Sequence, residues 1–166
     1  MPSVRRSPRL TVLASVVVVA GACGSSDGGA EGACGPILRE ALDSAYLVHV
    51  LGTETDVDYT SDPPTSGPHQ PSPPADGALD EPLSRPLQVG VLERGDVLIQ
   101  YLPSLPDADV EAVEALAGDG VVVAPNPELD EPVVATAWVH KRTCTAVDTA
   151  ALEAFVEARI GQGPED

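Results

Sequence analysis

A small α+β domain is the fold this sequence predicts: a mixed or antiparallel four-stranded sheet in the order β-β-α-β-β-α, helices on one face, and a long Pro-rich loop ahead of it. Three observations predict it. A length of 166 residues supports one domain with a modest core, and a hydrophobic content of 43% is too high for a disordered chain. The half after residue 86 alternates short strand-like runs with helical stripes. Of the 17 prolines, eight fall between Pro63 and Pro86, where missing backbone donors forbid a central strand or a helix interior.

In chain order, Pro36 to Ala45 places Ile37, Leu38, Ala41, Leu42 and Ala45 on a helical stripe, which predicts a short helix. The apolar run Tyr46 to Leu51 suits a strand, and the loop 63–86 follows. Leu87 to Leu92 and Asp96 to Leu102 read as two strands of a hairpin, turning at Glu93-Arg94-Gly95 with Gly95 free to take positive φ. Val97, Ile99 and Tyr101 share one face of the second strand, opposite Leu98, Gln100 and Leu102. Asp107 or Asp109 can cap a helix carrying Val110, Val113 and Leu116, which Gly118 ends. Gly120 to Ala124 and Val133 to Trp138 read as further strands, separated by Pro125-Asn126-Pro127. Asp148 can cap a last helix with Leu152, Phe155, Val156 and Ile160 on one stripe, and Gly161 stops it.

The N-terminus reads as an address. Arg5, Arg6 and Arg9 precede the run Leu10 to Ala20, which is too short to cross a hydrocarbon layer of about 30 Å. A basic start, a short apolar run and small residues describe a secretory signal over residues 1–22. Val19-Ala20-Gly21-Ala22-Cys23 resembles a bacterial lipobox, in which the cysteine is acylated and becomes the new N-terminus. Ordinary cleavage after Ala20-Gly21-Ala22 is the alternative. The polar stretch after Cys23 favours the lipoprotein form, with residues 23–33 as lipidated cysteine and flexible tether and 34–166 as the single globular domain. The expected location is therefore extracytoplasmic, anchored to the cell membrane through lipid alone.

Cysteine and charge fit that location. With Cys23 acylated, Cys34 and Cys144 remain as an even pair in an oxidising compartment, and a bridge between them is expected. The formal charge is −17; removing residues 1–22 takes away three arginines and no acids, leaving six basic against 26 acidic residues, or −20. Such a chain repels nucleic acid and anionic lipid, and self-repulsion predicts a monomer.

At Pro63-Pro64-Thr65-Ser66-Gly67-Pro68-His69 the sequence resembles the bacterial domain-of-unknown-function family 3105. The likeness is carried by Tyr59, that heptapeptide, Val89-Gly90-Val91-Leu92-Glu93-Arg94-Gly95 with its LExG motif of Leu92, Glu93 and Gly95, then Ala137-Trp138, Cys144 and Gly163-Pro164-Glu165. The resemblance implies histidines where this chain has Gly90 and Arg94, and so a family pattern with up to four imidazoles, suggestive of a transition-metal site. His49 and His69 remain here; Asp56, Asp58, Asp62 or Glu93 could complete a copper or zinc site with them, and Arg94 sets a permanent cation beside it. His140 falls outside the pattern.

No enzyme is expected. Ser66 and His69 flank a Gly-Pro turn with no nucleophile elbow, no C-x-x-C is present, and no carboxylate pair stands out by spacing. The residues point to a non-catalytic binding or structural module at the cell surface, whose Pro-rich loop offers Tyr59 and Thr65 to His69 to a surface protein partner, with Trp138, in the strand before Cys144, reading as core more than as a further contact; transition-metal binding through His49 and His69 is the alternative.

Overall fold

Val97-Leu98-Ile99-Gln100-Tyr101 is apolar on both faces but for one glutamine, so it demands cover on both sides. In the computed structural model, which describes residues 32–51 and 57–164, it is a fully buried strand of a six-stranded sheet. The elements are β1 (Leu38–Arg39), β2 (Gly77–Ala78), α1 (Arg85–Glu93), β3 (Val97–Tyr101), α2 (Asp107–Glu114), β4 (Val121–Pro125), β5 (Val133–Ala137), β6 (His140–Cys144) and α3 (Thr149–Arg159). The sheet order is β1-β6-β5-β3-β4-β2. Strand β4 runs parallel to β3 and β2, and the other pairs are antiparallel, so the sheet is mixed.

Val97, Ile99 and Tyr101 face one core with Val113 of α2 and Leu152 and Phe155 of α3. Leu98 faces a second core with Val89, Val91 and Leu92 of α1, backed by Tyr59 and by Leu79 and Leu83 of the Pro-rich loop. The expected single helical face is thus corrected: α1 and the loop cover the side that α2 and α3 leave open. Strands β3, β4 and β5 fall where the sequence places them. The sheet gains β6 and the two-residue edges β1 and β2, six strands in place of four.

The segment read as the first hairpin strand is α1, the largest correction. Leu87 to Leu92 alternates like a strand, but Pro86 sits at the first helical turn, where its fixed φ and missing N–H cost nothing. Burial of Val89, Val91 and Leu92 together then outweighs the poor helix propensity of Val and Gly. Gly95 does take positive φ (90°), as the residue that ends the helix rather than a hairpin turn. Two further corrections lie upstream. Residues 36–45 hold the short β1 and turns in place of a helix, and 46–51 holds turns and a single bridge at His49 in place of a strand. Helix α2 starts after Pro106, without a side-chain cap from Asp107 or Asp109, and ends at Glu114. Asp148 caps α3 as expected, its Oδ1 accepting the Ala151 N–H at 3.0 Å.

Cys34 and Cys144 form a disulfide across 110 residues, beside β1 on the edge of β6. The signal segment 1–22, Cys23 with the tether as far as residue 31, Asp56 and Glu165 lie outside the described residues. Among the described residues no helix is long and apolar enough to cross a membrane.

Candidate metal centre

The heptapeptide 63–69 turns inward. Pro63 to Gly67 and His69 are all buried, with Thr65, Ser66 and His69 at 1–2% exposure. A partner cannot reach them, which corrects the expectation that this loop displays Thr65 to His69. Trp138 takes the core position expected of it, edge-on to Tyr46 at 6.2 Å.

Each residue of the motif instead fixes its neighbour. Thr65 Oγ1 donates to Glu40 Oε2 at 2.7 Å, and its carbonyl accepts the Val139 N–H at 3.0 Å. Ser66 Oγ accepts the Asp43 N–H at 2.9 Å. Gly67 has φ 130°, and a Cβ there would meet the Tyr59 ring at 3.0 Å, so only glycine fits. Tyr59 lies against it and donates to the Pro68 carbonyl at 2.7 Å; burial pushes its phenol up to about 12. Glu40 is held below the usual carboxylate value: burial raises it, but hydrogen bonds from Ser61, Thr65 and Lys141, with the Lys141 charge, outweigh that. Lys141 Nζ lies 3.0 Å from Glu40 Oε1 and also donates to the Asp62 carbonyl. The β5–β6 turn is anchored in the same network. Val139, at a φ of 52° that a β-branched residue rarely adopts, gives its N–H to Thr65 and accepts the Glu40 N–H at 2.9 Å.

His69 is what this network positions. Its Nδ1 donates to the Gly67 carbonyl at 3.1 Å, which in the neutral ring leaves the lone pair on Nε2. That Nε2 is buried and makes no hydrogen bond. It points at Glu93 Oε1, 3.7 Å away. The backbone brings His49 beside it: His69 N–H donates to Val48 O at 3.0 Å and Val50 N–H to His69 O at 2.8 Å, setting the two rings edge to face at 4.9 Å. Twenty residues apart in sequence, the two histidines pair directly. One ligand atom each from His49, His69 and Glu93 lies within 4.8 Å of the others. Of the carboxylates the sequence offered, Glu93 joins the histidines, whereas Asp62 pairs with Arg85 at 2.6 Å and Asp58 is not among the cluster's ligands.

Either a proton on Nε2, making an imidazolium–carboxylate pair, or a metal ion held by both atoms would satisfy this arrangement. Tetrahedral ligands at about 2.0–2.2 Å from a metal sit roughly 3.4 Å apart, so the His69–Glu93 spacing nearly suits one already. His69 also has the outer contact typical of a ligating histidine, its second nitrogen tied to a carbonyl. Exposed His49 and partly exposed Glu93 can swing the remaining distance.

Helix α1 explains how Glu93 reaches this place. Positions 90, 93 and 94 lie about one turn apart on the side that the loop covers. Gly90 lies under the Gln70 carbonyl, Glu93 faces His69, and Arg94 donates to the Pro74 carbonyl at 2.9 Å. The Arg94 charge is spent on Asp76 and Asp96, which both pair with its guanidinium. Burial raises the Asp96 carboxyl above its ordinary value despite that pairing. His140 is remote in role: its Nδ1 meets the Trp138 carbonyl at 2.8 Å, and burial lowers its pKa.

Residues 49–166 match a family model described as protein of unknown function (DUF3105). No curated protein and no solved structure matches the chain.

Proposed function

Because the chain belongs to the DUF3105 family, whose description assigns no activity, we propose from the site itself that it is a non-catalytic module binding one divalent transition-metal ion, zinc or copper(II), through His49, His69 and Glu93. The observation that carries this reading is the buried His69 Nε2, which makes no hydrogen bond and faces a carboxylate, with a second imidazole alongside. Two imidazoles and one carboxylate suit zinc or copper(II) better than calcium or magnesium, which prefer all-oxygen shells. Thiolate-seeking ions are disfavoured, since Cys34 and Cys144 are bonded to each other.

Calorimetric titration of the purified chain with zinc and with copper(II) tests the reading. Micromolar or tighter binding of one ion per chain is expected. Losing an outer partner of a metal ligand alone costs 10–100-fold, so His49→Ala or Glu93→Gln should weaken binding by about 100-fold or more. Both side chains reach the surface, so folding should survive and thermal melts without metal should match the parent. Absence of heat with either ion, or unchanged affinity in both variants, defeats the proposal.

We further propose the exported lipoprotein form, held at the membrane by acyl chains on Cys23, facing no nucleic acid. The Cys34–Cys144 disulfide supports an oxidising, extracytoplasmic setting. Mass spectrometry of the mature protein should find an acylated Cys23 as the first residue, and Cys23→Ala should release the protein from the membrane fraction; an unmodified N-terminus elsewhere would rule the anchor out.

A further inference from the structure

On the metal-binding reading above, we infer that the bound ion presents one coordination position to the outside and that a neutral imidazole donor fills it. The three ligands are unequally buried: His69 is 2% exposed, Glu93 one third, and His49 lies open on the surface. Among the described residues, protein therefore backs the ion on one side only. Among the described residues no fourth His, Cys, Asp or Glu joins the cluster. Zinc held by three protein ligands keeps a fourth position for water or an incoming group, and copper(II) likewise takes at least four.

The surroundings select the incoming group. Leu47, Val48 and Leu51, on the segment that carries His49, are 76%, 49% and 77% exposed, whereas among the described residues of the second half only Ile160 is a large exposed aliphatic. A heteroaromatic ring approaching the ion can lie against these side chains, whereas an anion would be stripped of water there at a cost. The formal charge of −17 opposes anions further. A neutral nitrogen donor meets neither penalty. Free imidazole-bearing molecules and a histidine side chain of a docking protein share this chemistry.

The test uses the full chain, purified without a histidine tag and loaded with copper(II). It is titrated separately with imidazole, with azide, and with an end-capped Leu-His-Leu peptide. Imidazole is expected to move the copper d–d band to shorter wavelength and to add one nitrogen to the electron-spin hyperfine pattern, with azide far weaker at equal concentration. Tighter binding of the peptide than of imidazole identifies a partner's histidine as the source; equal binding identifies a small free ligand. Leu51→Ser should weaken the peptide several-fold while leaving copper affinity unchanged. Copper that binds but whose spectrum responds to neither nitrogen donor, or responds to azide alone, overturns the inference. Failure to bind copper or zinc at all defeats instead the metal reading on which it rests.

Discussion

Replacing Cys34 and Cys144 together by alanine is expected to cost about 4–5 kcal/mol of stability, because the disulfide closes a loop of 110 residues in the unfolded chain. Against a total stability of about 5–15 kcal/mol for an ordinary domain, that loss brings the fold close to its threshold. The native-state consequence is local. The disulfide pins the segment from Ala33 to Glu40 along β6, where Gly35 N–H donates to Thr143 O and Thr145 N–H to Ala33 O. Glu40 and Asp43 lie just beyond and hold Thr65 and Ser66. Urea unfolding of the double variant, read beside the parent under reducing and non-reducing conditions, measures the cost. A loss below about 1 kcal/mol would show that the strand pairs alone hold this segment. The same variant should bind zinc more weakly, since the loop that aims His69 is tied to the segment the disulfide holds.

The regular half of the fold was legible because its signals are local: short β-branched apolar runs in β3, β4 and β5, and an Asp148 cap ahead of the stripe Leu152–Phe155. Strand β6 escaped notice because its sequence His-Lys-Arg-Thr-Cys is polar, and it pairs on the strength of its neighbour β5 and a two-residue turn. Helix α1 was hidden by a pattern that fits a strand, although Pro86 after Ser84 is a helix-start signal present in the sequence. The candidate site was half legible. His49, His69 and Glu93 were all named as ligands, but only tertiary structure could bring together residues 20 and 24 apart and discard Asp62. Reading 87–92 as a strand also concealed that 90, 93 and 94 share a helical face. That face is the reason the heptapeptide lies where it does.

Gly90 makes this dependence measurable. By helix propensity, Gly90→Ala in the middle of α1 should stabilise the protein by about 1 kcal/mol. The opposite sign is expected. A Cβ on residue 90 would run into the Gln70 carbonyl oxygen, a backbone atom. Gln70 cannot step aside freely, because its own N–H donates to the Pro86 carbonyl at 3.0 Å in the first turn of the same helix. Either the helix or the loop must move, and overpacking of this kind costs about 1–3 kcal/mol net. Gly118→Ala, where an added Cβ meets nothing within 4 Å, is the control and should fall within about 0.5 kcal/mol of the parent. Chemical denaturation of the two variants gives the comparison, and a stabilised Gly90→Ala would mean that the loop does not rest on the helix. Because Gln70 follows His69 directly, the displaced loop should also carry Nε2 away from Glu93 and lower zinc affinity in step with the stability loss.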